Sequence, residues 1–273
     1  MGAFHGAHRR GTLLPAITSV RLAGKAILFL HLDLLAVLLL GAVAGTLGGV
    51  IGFGSSIMLM PVLVILYGPR EAVPVMAVAA LLANASRVLV WWREVDWRAF
   101  AAYSATGVPA AALGAATLLT IPQRWIEIAM GLFFLTVIPA RRWLARHNLR
   151  INLWQLALGG ALVGYITGIV VSTGPINAPF FLALGLVKGA YLATEALGSL
   201  AVYTSKAIVF RSFGALPVEI FSKGLIIGSS LMVGSFVAKR LVLKLEAEQF
   251  SLLIEGLLLV SGLTMLGAAV LAH

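Results

Sequence analysis

The sequence predicts an all-α polytopic membrane protein of two sequence-related halves. Each half has four long segments and one short or re-entrant helix, giving eight to ten membrane segments. Three observations carry this. Of 273 residues, 60% are hydrophobic and only 11% charged, with a mean hydropathy of +1.02, whereas a soluble domain carries roughly a quarter charged. The apolar residues fall in repeated long runs, and ~20 such residues cross a bilayer. Finally, one glycine-rich pattern occurs twice, about half a chain apart.

The first copy is LLLGAVAGTLGGVIGFGSSIMLMP, Leu38 to Pro61. Gly41, Gly45 and Gly49 recur every four residues and so share one helical face, where another helix can approach to backbone contact. Gly52, Gly54, Ser55 and Ser56 follow, and such residues interrupt a helix. The second copy is GGALVGYITGIVVSTGPINAP, Gly159 to Pro179, with Gly160, Gly164 and Gly168 and a break at Ser172, Thr173, Gly174 and Pro175. Gly160 repeats Gly41 at an offset of 119, and Pro179 repeats Pro61 at 118. Broken backbone at membrane depth is tolerated only where protein or water covers it, and paired breaks in two halves point to a binding site between them.

Residues 1–31 form a basic N-terminal arm with Arg9, Arg10, Arg21 and Lys25. The adjacent arginines resemble a twin-arginine signal, but cleavage near residue 44 would cut the repeated glycine stretch, so an interfacial arm is expected. The first repeat covers 32–140. Its first span runs from Leu32 to Ile51. Ile57 to Tyr67 is too short for an ordinary span, Gly68 and Pro69 turn it, and Ala72 to Trp92 is full length. Trp91, Trp92 and Trp97 suit a headgroup belt. Phe100 to Leu119 and Trp125 to Ala140 complete the half.

A basic connecting loop, 141–152, joins the halves with Arg141, Arg142, Arg146, Arg150 and no acid. The second repeat, 153–271, has spans Leu153 to Val171, Tyr191 to Phe210, Glu219 to Val237 and Phe250 to Leu271, with the short piece Phe180 to Val187. If the short pieces re-enter, eight spans cross. If they cross, ten do, and the halves are inverted. The distribution of Lys and Arg leans to the first and transport physics to the second.

The net charge of +10 is explained by loops and the arm rather than by nucleic-acid binding. With no cysteine, disulfides, thiol nucleophiles and Cys-based metal sites are excluded. His5, His8, His31, His147 and His273 show no ligand spacing. No GxxxxGK[ST] occurs, so no nucleotide is implied. No cofactor or catalytic set is expected: Ser55 in GFGSS resembles an intramembrane nucleophile but has no base within a span.

Two basic residues sit inside apolar spans, Arg87 and Lys206, at the 119 offset and each after a serine, Ser86 and Ser205. A charge at helix-centre depth costs roughly 2.5–3.5 kcal/mol on insertion scales. Snorkelling to the nearer interface is the bland account; attraction of an anion is the functional one. Asn84 lies a turn before Arg87, Thr204 and Ser199 flank Lys206, and Asn177 follows the second break. The breaks would present helix N-termini, which bind anionic oxygens. Glu195 reads as a helix-end carboxylate rather than a proton carrier, and Glu255 likewise.

These motifs resemble the TauE/SafE family of sulfite exporters and anion permeases. The matching stretches are GAVAGTLGGVIGFGSSIMLMPVL, GGALVGYITGIVVSTGPINAPFFLALG, Asn84–Arg87 and Thr204–Lys206, and the resemblance covers about 32–270. It implies a multi-pass inner-membrane transporter of sulfite, an organosulfonate or another small anion. The alternatives are a membrane-embedded enzyme or assembly factor, and a passive anion channel. The expected partners are the small anion and the lipid bilayer.

The basic loop predicts a cytoplasmic joint. A cysteine placed at Asn148 in this cysteine-free chain should resist an impermeant thiol reagent in intact cells. Labelling from outside would reverse the orientation.

Overall fold

The structure, a computed structural model, describes residues 35–49, 55–146, 150–170 and 174–241, with scattered residues from 255 to 270. Described elements are helical: α1 (Leu35–Gly49), α2 (Ser55–Trp91), α3 (Trp97–Thr120), α4 (Gln123–Arg146), α5 (Leu153–Ile169), α6 (Gly174–Ala183), α7 (Lys188–Ser212) and α8 (Val218–Leu241). The expected arm at 1–31, and Gly52, Gly54, Ser172 and Thr173 within the breaks, lie outside the described residues, as does most of the last span.

Local chemistry sets the helix limits. Gly68 has φ 72° and ψ 160°, outside helical space, and divides α2 into Ser55–Gly68 and Arg70–Glu94, the latter including a closing 3-10 turn. Only glycine takes that backbone without strain. Asp96 caps α3, its Oδ1 accepting from the amides of Arg98 and Ala99 at 2.9 and 3.0 Å. Asn152 and Gln155 form a capping box on α5, satisfying donors the first turn leaves free. The expected basic loop is partly helix: α4 runs on through Arg146. Arg142 there pairs with Glu255 at 3.0 and 2.5 Å.

The glycine faces are contact surfaces. A Cβ on Gly160, Gly164 or Gly168 would overlap backbone of α3 at Tyr103, Gly107 and Gly114. On α1, Gly41 meets Ser230 and Gly45 meets the Leu231 backbone of α8. The third glycine of the α1 face is not as expected. Gly48 is buried and faces Ser55 across the break, while Gly49 is only partly buried.

Partners read along the chain give each helix its direction. Tyr103, Gly107 and Gly114 meet Gly160, Gly164 and Gly168 in rising order, so α3 and α5 run parallel. Gly41 meets Ser230, and the Gly45 carbonyl accepts from Ser235 at 3.2 Å, so α1 and α8 run parallel. Val75 and Ala79 of α2 meet Gly224 and Gly228 of α8 in the same sense. Against α7 the order reverses: Arg87 meets Glu195, and Glu94 just past α2 meets Gly189. Helix α1 and the second segment of α2 therefore point the same way, and Ser55–Gly68 returns the chain between them.

Among the described residues, three helices are long and apolar enough to span a bilayer: Arg70–Glu94, Trp97–Thr120 and Val218–Val237. Outward faces carry Leu113, Leu158, Leu162, Ile208 and Val233, all well exposed, a surface that suits lipid and not water. Trp92, Trp97, Trp143 and Trp154 are exposed at helix ends, as a headgroup belt requires.

Because the glycine contacts leave no room for a side chain, Gly164→Leu or Gly45→Leu should force helices apart. Overpacking typically costs about 1–3 kcal/mol or more. Either variant should melt earlier in detergent, read as loss of monodisperse protein on heating, and undiminished stability would mean these faces touch lipid.

Candidate functional site

Polar groups buried in an apolar bundle must find partners, and here they gather where α2, α6 and α7 meet. Arg87 Nη1 donates to Glu195 Oε2 at 2.8 Å, and both residues are buried, 9% and 2% exposed. Arg87 Nη2 donates to Asn84 Oδ1, and the Asn84 amide donates in turn to the Ala80 carbonyl at 2.8 Å. The other carboxylate oxygen, Glu195 Oε1, accepts from Ser199 Oγ at 2.8 Å and Asn177 Nδ2 at 3.0 Å.

Each member is placed by its helix. Asn84 and Arg87 are three apart and project from one face of α2. Glu195 and Ser199 stand in the same relation, four apart, on α7. Asn177 is in the first turn of α6, just after the second break. Tyr103 of α3 lies against the Asn177 side chain and Tyr203 against Ser56, both tyrosines in the electrostatic field of Glu195. Asn177 Oδ1 is buried without a hydrogen-bond partner among the described residues.

The expectation that Glu195 is a helix-end carboxylate is overturned. It sits in the second turn of α7, but the antiparallel crossing carries it under α2, where it neutralises Arg87. The sequence signal was an acid and a base each within an apolar segment; their pairing depended on the helix crossing.

Lys206 is fully buried elsewhere. Its Nζ donates to the Thr167 carbonyl at 2.6 Å and lies 5.5 Å from the Phe210 ring centroid. Thr167 is in the last turn of α5, where the helix dipole favours a cation. Lys206 and Glu195 are eleven residues apart on α7, about three turns and ~16 Å at 1.5 Å per residue. The structure thus brings Asn84, Arg87 and Asn177 together and leaves Lys206 at a second station along the same helix.

Other expected residues take supporting places. Ser86 Oγ bonds back to the Ala83 carbonyl at 2.8 Å, and Ser205 Oγ ties α7 to the Val108 carbonyl of α3 at 3.0 Å. Thr204 bonds within its own helix at 2.7 Å and is exposed, lining two outward apolar cavities of about 590 and 540 Å³. Ser55 and Ser56 open α2 and Gly174 opens α6, all partly buried.

Breaking a buried ion pair by removing one partner costs about 3–5 kcal/mol, whereas an apolar pair of similar volume is tolerated. Arg87→Leu and Glu195→Leu should each lower the melting temperature sharply. The double variant should recover most of the loss, and a purely additive double-mutant cycle would mean the pair is not coupled.

A family model described as Sulfite exporter TauE/SafE matches residues 37–265. The "Probable membrane transporter protein YjnA" of Bacillus subtilis (strain 168) is 24% identical over 256 residues, covering 84% of this chain and 98% of that protein. No solved structure matches.

Proposed function

We propose that the chain, which belongs to the sulfite exporter TauE/SafE family, is a secondary transporter of a small oxyanion, with sulfite or an organosulfonate as the substrate class. It acts as a carrier rather than an enzyme, crossing the inner membrane many times. The observation that carries this reading is Arg87: a guanidinium buried between α2 and α7, oriented by Asn84, beside the first turn of α6. A planar guanidinium presents paired donors that match an oxyanion. The N-terminus of α6 adds partial positive charge.

The directions of the helices support two inverted repeats, 32–140 and 153–271. At the 119 offset, α1 corresponds to α5, the second segment of α2 to α7, and α3 to α8. Each such pair points in opposite senses, and α1 on α8 answers α5 on α3. That relation needs an odd number of crossings per half, so the short segments cross and ten spans result. The site then lies where the halves meet, as alternating access about a fixed site requires.

The orientation follows from charge. The end where α2 and α8 finish and α3, α5 and α7 begin carries Arg93, Arg98, Arg150, Lys188, Lys239 and Arg240. The opposite end carries Arg70, Arg124, Arg211 and Lys223. The first end is the cytoplasmic one.

The test is uptake by purified protein in liposomes, comparing sulfite, sulfate, sulfoacetate and small carboxylates, each with and without an ion gradient. A gradient-independent leak would favour a channel. Arg87→Gln should weaken anion affinity roughly ten- to a hundredfold, as loss of about 1.5–3 kcal/mol from a charged hydrogen bond implies. Lys206→Gln should act separately, and the two effects should add because Arg87 and Lys206 are held by different groups, Glu195 and the Thr167 carbonyl. Unchanged affinity in both variants would overturn the site.

A further inference from the structure

A carrier whose anion-binding guanidinium is already filled by its own carboxylate needs a way to empty it. We propose that Glu195 is an internal substitute for the transported anion, displaced from Arg87 when it takes up a proton, so that one proton accompanies each anion. This rests on the reading of Arg87 as the anion's ligand.

The geometry favours exchange over a fixed clamp. A carboxylate offers two oxygens and one negative charge, the same face a sulfonate or sulfite would present to a guanidinium. Only Oε2 of Glu195 touches Arg87; Oε1 is held by Ser199 and Asn177. Two anions on one buried guanidinium repel, and protonating the carboxylate removes that repulsion. The groups facing Glu195 are Arg87 from α2, Tyr103 from α3, Asn177 from α6, and Tyr191, Ser199 and Tyr203 on α7 itself.

Asn177 is equipped for both protonation states. Its Nδ2 donates to the carboxylate, while Oδ1 is buried and without a partner among the described residues. Turned over, the amide presents Oδ1 to accept the hydrogen of a carboxylic acid.

The step balances without a co-reactant. A proton from water adds to Glu195, the Arg87–Oε2 contact opens, and the anion takes that place on Nη1. On the other side the anion leaves, the proton returns to water, and the carboxylate recloses on Arg87. At the 119 offset Glu195 corresponds to Met76, which cannot titrate, so this exchange has no counterpart in the first half.

The test uses the full chain, with methanesulfonate as probe because it stays ionised from mildly acid to mildly alkaline pH. Its affinity for the wild type should rise as pH falls, by about tenfold per unit above the carboxyl's titration. In Glu195→Gln the affinity should be tight and independent of pH. Ser199→Ala removes a donor to the carboxylate, favours the acid, and should move the midpoint to higher pH while sparing the ion pair. By infrared difference spectroscopy, a carboxylic-acid band absent from Glu195→Gln should appear on acidification. Linkage requires methanesulfonate to move that band to higher pH. A pH-independent wild type, a band indifferent to methanesulfonate, or wild-type pH dependence in Glu195→Gln would each overturn the inference. Should Arg87→Gln bind methanesulfonate as well as the wild type, the site reading fails as well. Should it lose binding while Glu195→Gln keeps the wild-type pH dependence, only the proton coupling fails.

Discussion

Close backbone contact between helices is the constraint on which the rest of this structure depends. In a lipid environment apolar side chains gain little by leaving the tails for one another, so helices adhere through packing of small residues and buried polar bonds. Here Gly160, Gly164 and Gly168 let α5 reach the backbone of α3, and Gly41 and Gly45 let α1 reach α8. Both contacts join helices distant in sequence. Each part of the chain is therefore held by the other, and the antiparallel crossing of α2 and α7 is fixed between them.

Polar chemistry follows from that crossing. An arginine and a glutamate that neither helix could bury alone come to 2.8 Å. The pair is supported at both ends, by Asn84 on the guanidinium and by Ser199 and Asn177 on the carboxylate. Lys206 is handled differently, by a helix-terminal carbonyl and an aromatic face. Under the proposed two-fold relation the difference is informative. The partner of Arg87 is Glu195, whereas the corresponding neighbour of Lys206 is Met76. Duplication would have supplied matched cations, and divergence supplied one carboxylate.

Much of this was legible beforehand, for reasons that are local. Glycine spacing marks a contact face without saying what meets it. Gly68 marks a break because its backbone is closed to other residues. Arg87 and Lys206 stand out because charge in an apolar run is costly. What was not legible required knowing which helices cross. Glu195 looked like a helix-end carboxylate because its partner is 108 residues away. Thr204 looked like a neighbour of Lys206, yet two residues along a helix place side chains on different faces. Arginine is a good helix former, and α4 continues to Arg146, taking in the first part of the basic connection.

The separation of the two cations bears on mechanism more than their matched places in the sequence do. Arg87 is held at Glu195 and Lys206 at the Thr167 carbonyl, with Glu195 and Lys206 about three turns apart along α7, so the two cations do not form a single clamp. Each instead lies beside the end of a broken stretch: Lys206 holds the last turn of α5, and Arg87 is joined through Glu195 to the first turn of α6. Both contacts are made from α7, so under the proposed exchange a change at Glu195 acts on the first turn of α6 while Lys206 keeps hold of the last turn of α5.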